Sequence, residues 1–360
     1  MVREAQPVRI RTRAETLGSP DGNGVADATM PTTGPLVDAF GRIHRDLRIS
    51  VTDRCNLRCT YCMPEEGVVF LPRQEVLSYE EITRVAAAAH RLGVTTVRLS
   101  GGEPLLRQHL HRLVGYLSGV GFEDIAATTN GMFLAARAAE LRDAGLNRVN
   151  VSCDSLDPEQ FARIRRGGHL ATVLAAMDAA EVAGLTPVKV NVVLVAGIND
   201  GEVEAFAAFG RETGRTVRFI EFMPLDASGT WDRSLVVAAG EVVERIGSRW
   251  PLEPVPDQEG GPAVRYRYRD GAGEVGVIAS VTQPFCGSCD RLRLTADGNV
   301  RNCLFAHEEI SVRDILRGDQ VGDGAIETAL RRAVWRKRAG HGIGEPDFTR
   351  PRRTMSMIGG

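Results

Sequence analysis

Cysteine is the residue with the most chemistry to offer in this chain, and six of its seven cysteines fall into two triads. Cys55, Cys59 and Cys62 lie within eight residues, a spacing that one loop can wrap around a compact metal centre. Cys286 and Cys289 are followed 14 residues later by Cys303, and only Cys153 stands alone. An odd count in a long chain without an export signal argues for thiolates used as ligands or reagents, not for a disulfide framework. A cubane iron–sulfur cluster with four cysteine ligands is coordinatively closed and suits electron transfer, whereas three leave one iron open to a small molecule. The competing chemistry at the first triad is a zinc knuckle completed from elsewhere, or a dithiol at Cys59 and Cys62. At the second it is a structural zinc site of Cys286, Cys289, Cys303 and His307.

The second triad is built by a hairpin signal, Asp297-Gly298 between the strand-like runs 291–295 and 299–303. A two-residue loop places position 295 opposite 300 and 292 opposite 303, bringing Cys303 near Cys289. Arg291 and Arg293 alternate on one face of the strand leaving Cys289, and two guanidinium groups beside thiolates suit an anionic ligand. The strand runs upstream add Arg48, Arg98, Lys189 and Arg218. In a chain of net charge −2, with 44 Lys and Arg against 46 Asp and Glu, these cations form a local positive funnel. Several anionic groups on one ligand, as in a nucleoside triphosphate, match that set. The sequence holds no Gly-rich Walker loop ending in Lys-Ser/Thr, so side chains would hold the triphosphate and hydrolysis is not expected.

The elements that position these residues follow from periodicity. Short β-branched runs at 47–52, 96–100, 125–129, 148–152, 188–195 and 217–222 alternate with helix-spaced stretches at 79–92, 108–117, 134–144, 171–183 and 202–213. Such alternation implies parallel βα units with right-handed crossovers, as an incomplete α/β barrel or a doubly wound sheet. The barrel is preferred, and in it function gathers at strand C-termini. Those ends carry the first triad, Gly101-Gly102-Glu103-Pro104, Thr128-Thr129-Asn130, Ser152-Cys153-Asp154 and Glu221-Phe222-Met223.

Beyond residue 249 the alternation stops, and strand candidates at 264–268 and 275–282 lead to the second triad, the pattern of a smaller α+β domain. The expected division is a tail at 1–38 that buries nothing, a barrel at 39–248, a second domain at 249–340, and a C-terminal stretch at 341–360 with no core pattern of its own. With 25% charged and 43% apolar residues the chain has the composition of a soluble globular protein, which excludes a basic nucleic-acid coat. No run approaches the roughly 18 apolar residues of a spanning helix, so no membrane role and a cytoplasmic location are expected.

The C-x-x-x-C-x-x-C spacing at the end of the first strand, with Tyr61 before the last cysteine, resembles the radical S-adenosylmethionine (SAM) enzymes. The segment 47–64, the Arg218-Phe219-Ile220-Glu221-Phe222-Met223 strand, the stretch 285–293 and the terminal Ile358-Gly359-Gly360 resemble, more narrowly, the GTP 3′,8-cyclase family of molybdenum cofactor biosynthesis. That resemblance implies an incomplete (β/α)6 TIM-like barrel and a C-terminal domain, each carrying a 4Fe-4S cluster. The cluster ligands would be Cys55, Cys59 and Cys62, and Cys286, Cys289 and Cys303. It implies SAM against Tyr61, Gly101, Gly102, Glu103, Ser152 and Met223. GTP would be held by Arg48, Arg98, Thr128, Lys189, Arg218, Arg291 and Arg293, with Arg291, Arg293, Gly359 and Gly360 in catalytic roles. The implied partners are a low-potential donor such as flavodoxin or ferredoxin, the cyclic pyranopterin monophosphate synthase that takes the product, and a second copy of the chain in a homodimer.

Overall fold

The computed structural model describes residues 27–256, 261–318 and 322–359. Its first six strands follow the expected runs to within about two residues: β1 Asp46–Ser50, β2 Thr96–Ser100, β3 Asp124–Thr129, β4 Arg148–Ser152, β5 Lys189–Leu194 and β6 Thr216–Glu221. They pair in parallel and in chain order. The crossovers carry α1 Tyr79–Arg91, α2 Leu110–Val120, α3 Ala138–Asp143, α4 Pro158–Arg165, α5 Leu170–Val182 and α6 Val203–Thr213. Helix α1 starts where a capping box starts it, with Ser78 and Glu81 each satisfying the other's backbone N–H. Parallel strands under helices are buried on both faces. Leu47 and Ile49 of β1 are fully buried in the apolar core, while the intervening Arg48 points to the opposite, cavity-lining side.

The remaining elements are α7 Ala239–Arg249, β7 Leu252–Pro254, β8 Val264–Tyr268, β9 Glu274–Ile278, β10 Arg291–Leu294, β11 Asn299–Arg301, β12 Ile310–Ser311, α8 Arg313–Arg317, α9 Asp323–Trp335 and α10 Met355–Ile358. Their strands form no sheet of their own. β9 pairs in parallel with β6 and β10 in parallel with β1, giving one 12-stranded sheet ordered β12-β11-β10-β1-β2-β3-β4-β5-β6-β9-β8-β7. A six-stranded open barrel has two edges of unpaired N–H and C=O groups, and the C-terminal strands cover both.

Three local expectations need correction. The β10–β11 hairpin pairs Arg293 with Arg301 and Leu294 with Val300, one residue off the two-residue-loop register. Thr295 bonds to Asn299, and Gly298 at φ +80° closes a three-residue turn, so the loop includes Ala296. A one-residue slip exchanges faces, and it puts Cys303 on the face of Arg291 and Arg293. At the N-terminus, residues 1–26 lie outside the described residues, but 27–38 do not behave as a tail. Asp27 pairs with Arg332 and Arg336 at 3.1 and 3.0 Å, and Leu36 is fully buried. At the C-terminus Ile343 and Ile358 join Leu225, Val281 and Phe305 in a small apolar cluster. One or two anchors in a polar stretch leave no period to read.

Candidate active site

The register of the sheet sets the electrostatics of the site. Arg48 on β1 lies directly beside Arg293 on β10 and Arg98 on β2, so three guanidinium groups stand level on adjacent strands. Like charges opposite one another in a sheet are destabilising without a counter-charge. Arg98 is partly buried, with its Nε shut away and unpartnered, and desolvation and then Arg48 push its pKa well down. Arg48 has one carboxylate, Asp46, at 3.3 Å. Arg218 donates to Asn191 and Asn150, neutral acceptors that fix its direction and leave its charge uncancelled. It has room because Gly276 lies beside it, where a Cβ would come 3.1 Å from its Cγ. Lys189 is pushed down to about 8 by burial, then by Arg218, Arg148 and Arg98.

A single cavity joins the arginines, but not Lys189, to the second triad. Arg48, Arg98, Thr128, Arg218 and Met223 line it from the barrel, and Cys286, Cys289, Cys303, Arg291 and Arg293 from the C-terminal elements. Burial raises the Cys289 thiol, but Arg291 and Lys337 more than offset it and bring it down to about 7. Arg291 Nη2 donates to Cys289 Sγ at 3.3 Å and stacks over Phe285 at 4.4 Å.

The first triad sits beyond the C-terminal end of β1. Its loop is clamped to α4, Arg58 N–H to Arg165 O and Thr60 N–H to Ile164 O. Tyr61 donates its hydroxyl to Asp154 Oδ2 at 2.7 Å, and Arg165 Nε stands 3.0 Å from the same oxygen. Gly101 and Gly102 are required by the cysteine loop's own backbone: a Cβ on either would fall 2.3 Å from Thr52 O or Arg54 O. Glu103 is buried and accepts from Leu105 N–H, Thr129 Oγ1 and Asn130 N–H, tying this turn to the exit of β3. Ser152 ends β4, and Met223 follows β6.

All six triad cysteines are free thiols. Among the described residues no group of three or more His, Cys, Asp or Glu could hold a single metal ion. Tetrahedral zinc, with Zn–S bonds of about 2.3 Å, needs sulfurs about 3.8 Å apart. His307, the fourth ligand of the zinc alternative, instead faces Thr349 Oγ1 at 3.2 Å. The donor chemistry suits a larger sulfur-ligated group. Leu57 N–H donates to Cys55 Sγ and Phe305 N–H to Cys303 Sγ, each at 3.4 Å, the polar support that cluster thiolates use.

The C-terminal residues reach into the same region. The Ser356 backbone N–H bonds the Cys62 thiol, and Gly359 O accepts from Arg293 Nη1 at 2.7 Å. Gly359, at φ +78°, packs against the ends of β1 and β2, where a Cβ would meet Ser100 Oγ at 2.7 Å and Ser50 Cβ at 3.0 Å. Gly360 lies outside the described residues.

Sequence reasoning missed Asp154 and Arg165, which hold Tyr61, and Lys337, which holds Cys289. Asp154 lies two residues past the end of β4 among polar residues, a signal that was present. Arg165 sits in an arginine-rich helix end, and Lys337 follows a helix; neither has a period that marks it as inward.

Comparison with known proteins gives the family and the fold. Residues 49–210 match the Radical SAM superfamily and residues 215–343 match Molybdenum Cofactor Synthesis C. The fold is shared with anSMEcpe with bound AdoMet, at TM-score 0.58 and 14% identity over 83% of this chain and 79% of that one. It is shared also with Streptococcus suis SuiB bound to S-adenosylmethionine, at TM-score 0.55 and 14% identity over 87% and 66%. Fold and site thus define a radical SAM barrel with a C-terminal extension. The GTP 3′,8-cyclase 2 of Mycobacterium tuberculosis (strain ATCC 25618 / H37Rv) is 50% identical, covering 94% of this chain and 96% of its own. The GTP 3′,8-cyclase of Acidothermus cellulolyticus is 52% identical over 84% and 86%. The chain belongs to the GTP 3′,8-cyclase family.

Proposed function

We propose that this chain is a radical SAM GTP 3′,8-cyclase, converting GTP to (8S)-3′,8-cyclo-7,8-dihydroguanosine 5′-triphosphate in the first step of molybdenum cofactor biosynthesis. The observation that carries the reading is the level row Arg293, Arg48 and Arg98, opening with Arg218 on one cavity that the second cysteine triad shares. Neighbouring cations with too few carboxylates fit a triphosphate. The thiols at the other side fit a cluster whose open iron takes the guanine.

The first triad fits a 4Fe-4S cluster with SAM, which when bound supplies the 5′-deoxyadenosyl radical that takes the ribose 3′ hydrogen. Tyr61, Gly101, Gly102, Glu103, Ser152 and Met223 form the cofactor side: Asp154 fixes Tyr61, and Glu103 fixes the Gly-Gly turn. Arg48, Arg98, Lys189 and Arg218 bind the triphosphate, and Thr128 completes that wall. Arg293, level with Arg48 and restrained by Gly359, extends that row, and Arg291, beside the second triad, holds the nucleoside end. Fixing both ends of GTP in one cavity keeps C3′ against C8, the proximity that ring closure needs. Gly359 lets the C-terminus enter because it occupies little volume, and Gly360 is proposed to act beside it. The reading includes two 4Fe-4S clusters, flavodoxin or ferredoxin as electron donor, a homodimer, a cytoplasmic location and delivery to cyclic pyranopterin monophosphate synthase. These follow from family resemblance; the chain itself has no described helix long and apolar enough to cross a membrane.

The test is iron, sulfide and zinc content of anaerobically purified protein, then dithionite reduction with SAM and GTP. About eight irons and GTP-dependent 5′-deoxyadenosine are expected. About four irons with one zinc would reopen the substrate assignment. Cys55→Ala is expected to abolish SAM cleavage, and Cys303→Ala to impair GTP turnover more than SAM cleavage.

A further inference from the structure

Lys337 follows α9 and has no role in the reading above, yet it is buried with its ammonium against the second triad. Nζ lies 3.0 Å from Arg291 O, 3.2 Å from Cys289 O, 3.3 Å from Cys289 Sγ and 2.9 Å from His44 Nε2. The tautomer of His44 follows from its other nitrogen. Nδ1 lies 3.1 Å from Arg42 O, which only accepts, so Nδ1 carries the hydrogen and Nε2 is an acceptor. An ammonium has three donors. One goes to His44 and one to Arg291 O, leaving the third for Cys289, shared between its carbonyl and its sulfur.

Among those hydrogen-bond partners only Cys289 Sγ can carry negative charge. Arg165, the buried cation beside the first triad, differs because Asp154 faces it at 3.0 Å. The sulfurs of the two triads also differ. Cys289 Sγ receives two cationic donors, Lys337 and Arg291, whereas Cys55 Sγ receives Leu57 N–H and, at 3.9 Å, the neutral amide of Asn130. Hydrogen bonds and positive charge at a ligand sulfur stabilise the more negative, reduced state of a cluster.

We propose that Lys337 is a positioning residue of the second triad, holding Cys289 Sγ through a charge-assisted hydrogen bond and raising the reduction potential of the cluster bound there. This rests on the proposed reading that the second triad holds a 4Fe-4S cluster. Lys337 itself does not line the substrate cavity.

The test uses the full chain, reconstituted anaerobically, with iron analysis followed by a reductive titration read by electron paramagnetic resonance. A C55A/C59A/C62A chain identifies the signal of the second cluster. With about eight irons retained, Lys337→Met is expected to lower the one-electron reduction equilibrium of that cluster about tenfold, about 59 mV, and to leave the first cluster unchanged. Lys337→Arg, which keeps the charge, is expected to recover most of the shift. An unchanged potential in a fully loaded K337M protein overturns the proposal and leaves Lys337 a packing residue. If K337M loses the second cluster's iron, restoration by K337R and not by K337Q upholds it, and loss in all three overturns it. Wild-type protein holding only about four irons would sink the two-cluster reading itself, a result distinct from a loaded cluster that ignores residue 337.

Discussion

Lys189, which does not itself line the cavity but feels its arginines, shows how far a single ionisable group can be pushed. Burial and then Arg218, Arg148 and Arg98 lower it to about 8, so in the free enzyme it is charged below that pH and neutral above. In the proposed reading triphosphate binding uses the charged form, and kcat/KM for GTP is then expected to fall as pH rises through about 8. Lys189→Arg keeps its charge there, and a pH profile in which it fails to move the fall upward removes Lys189 from that limb. Stability runs the other way. A lysine held below its unfolded value of about 10.4 binds its proton less tightly when folded, so its contribution to ligand-free stability rises between about pH 8 and 10.4. Urea titrations of wild type and K189M across that window measure it. The strand cations were legible in the sequence because they alternate with apolar residues in short runs. That Arg48, Arg98 and Arg293 stand level was not, since register between strands of distant sequence is a tertiary fact.

At the scale of elements, the turn after β2 and the hairpin β10–β11 decide whether the triads can form. A glycine at 102 can be read from the sequence as making space for a cofactor, yet the atoms nearest a Cβ there are Arg54 O, Arg54 C and Asp53 O at 2.3 to 2.7 Å, the backbone entering the cysteine loop. Gly102→Ala must displace that loop, an overpacking that costs ~1–3 kcal/mol. Iron is expected to fall from about eight to about four per chain, with the second cluster kept. An alanine variant with all its iron would show that the loop adapts. The hairpin carries a second device, in which Arg353 reaches Asp297 at 2.8 Å in the turn and Glu309 at 2.7 Å beyond it. That ion cluster anchors the chain six residues before Gly359 meets Arg293, and charged hydrogen bonds of this kind contribute about 1.5–3 kcal/mol each. Arg353→Ala is expected to expose the C-terminus to limited proteolysis and to uncouple SAM cleavage from product formation. Protease resistance equal to wild type would show that Ile358 alone holds it. None of this was legible, because the register depends on a turn type that Asp297-Gly298 leaves open between two and three residues.

Over the whole molecule, composition breaks near residue 249, and a break of that kind reads as a domain boundary because helix-strand alternation ends there. The sheet contradicts independence of the two parts. β1 pairs with β10 through Asp46 to Ile49, and β6 with β9 through Val217 to Ile220, so the barrel's first and last strands are completed by residues beyond the break. The apolar core is also continuous, with Leu47, Val97, Leu292, Ile326 and Val334 in one cluster. A chain ending at residue 250 would leave both edges of a six-stranded sheet unpaired and strip the apolar cover from β1, the arrangement that templates aggregation. Such a fragment is expected to be insoluble or to lack a cooperative transition. The full ligand-free chain is expected to unfold in one transition, with calorimetric and van't Hoff enthalpies equal. Two separated transitions, or a soluble fragment with native circular dichroism, would mean that the C-terminal strands decorate a barrel able to stand alone. One transition would tie the second triad's geometry to the barrel's stability, because Arg293 and Arg48 then hold their shared level only while the whole sheet is formed.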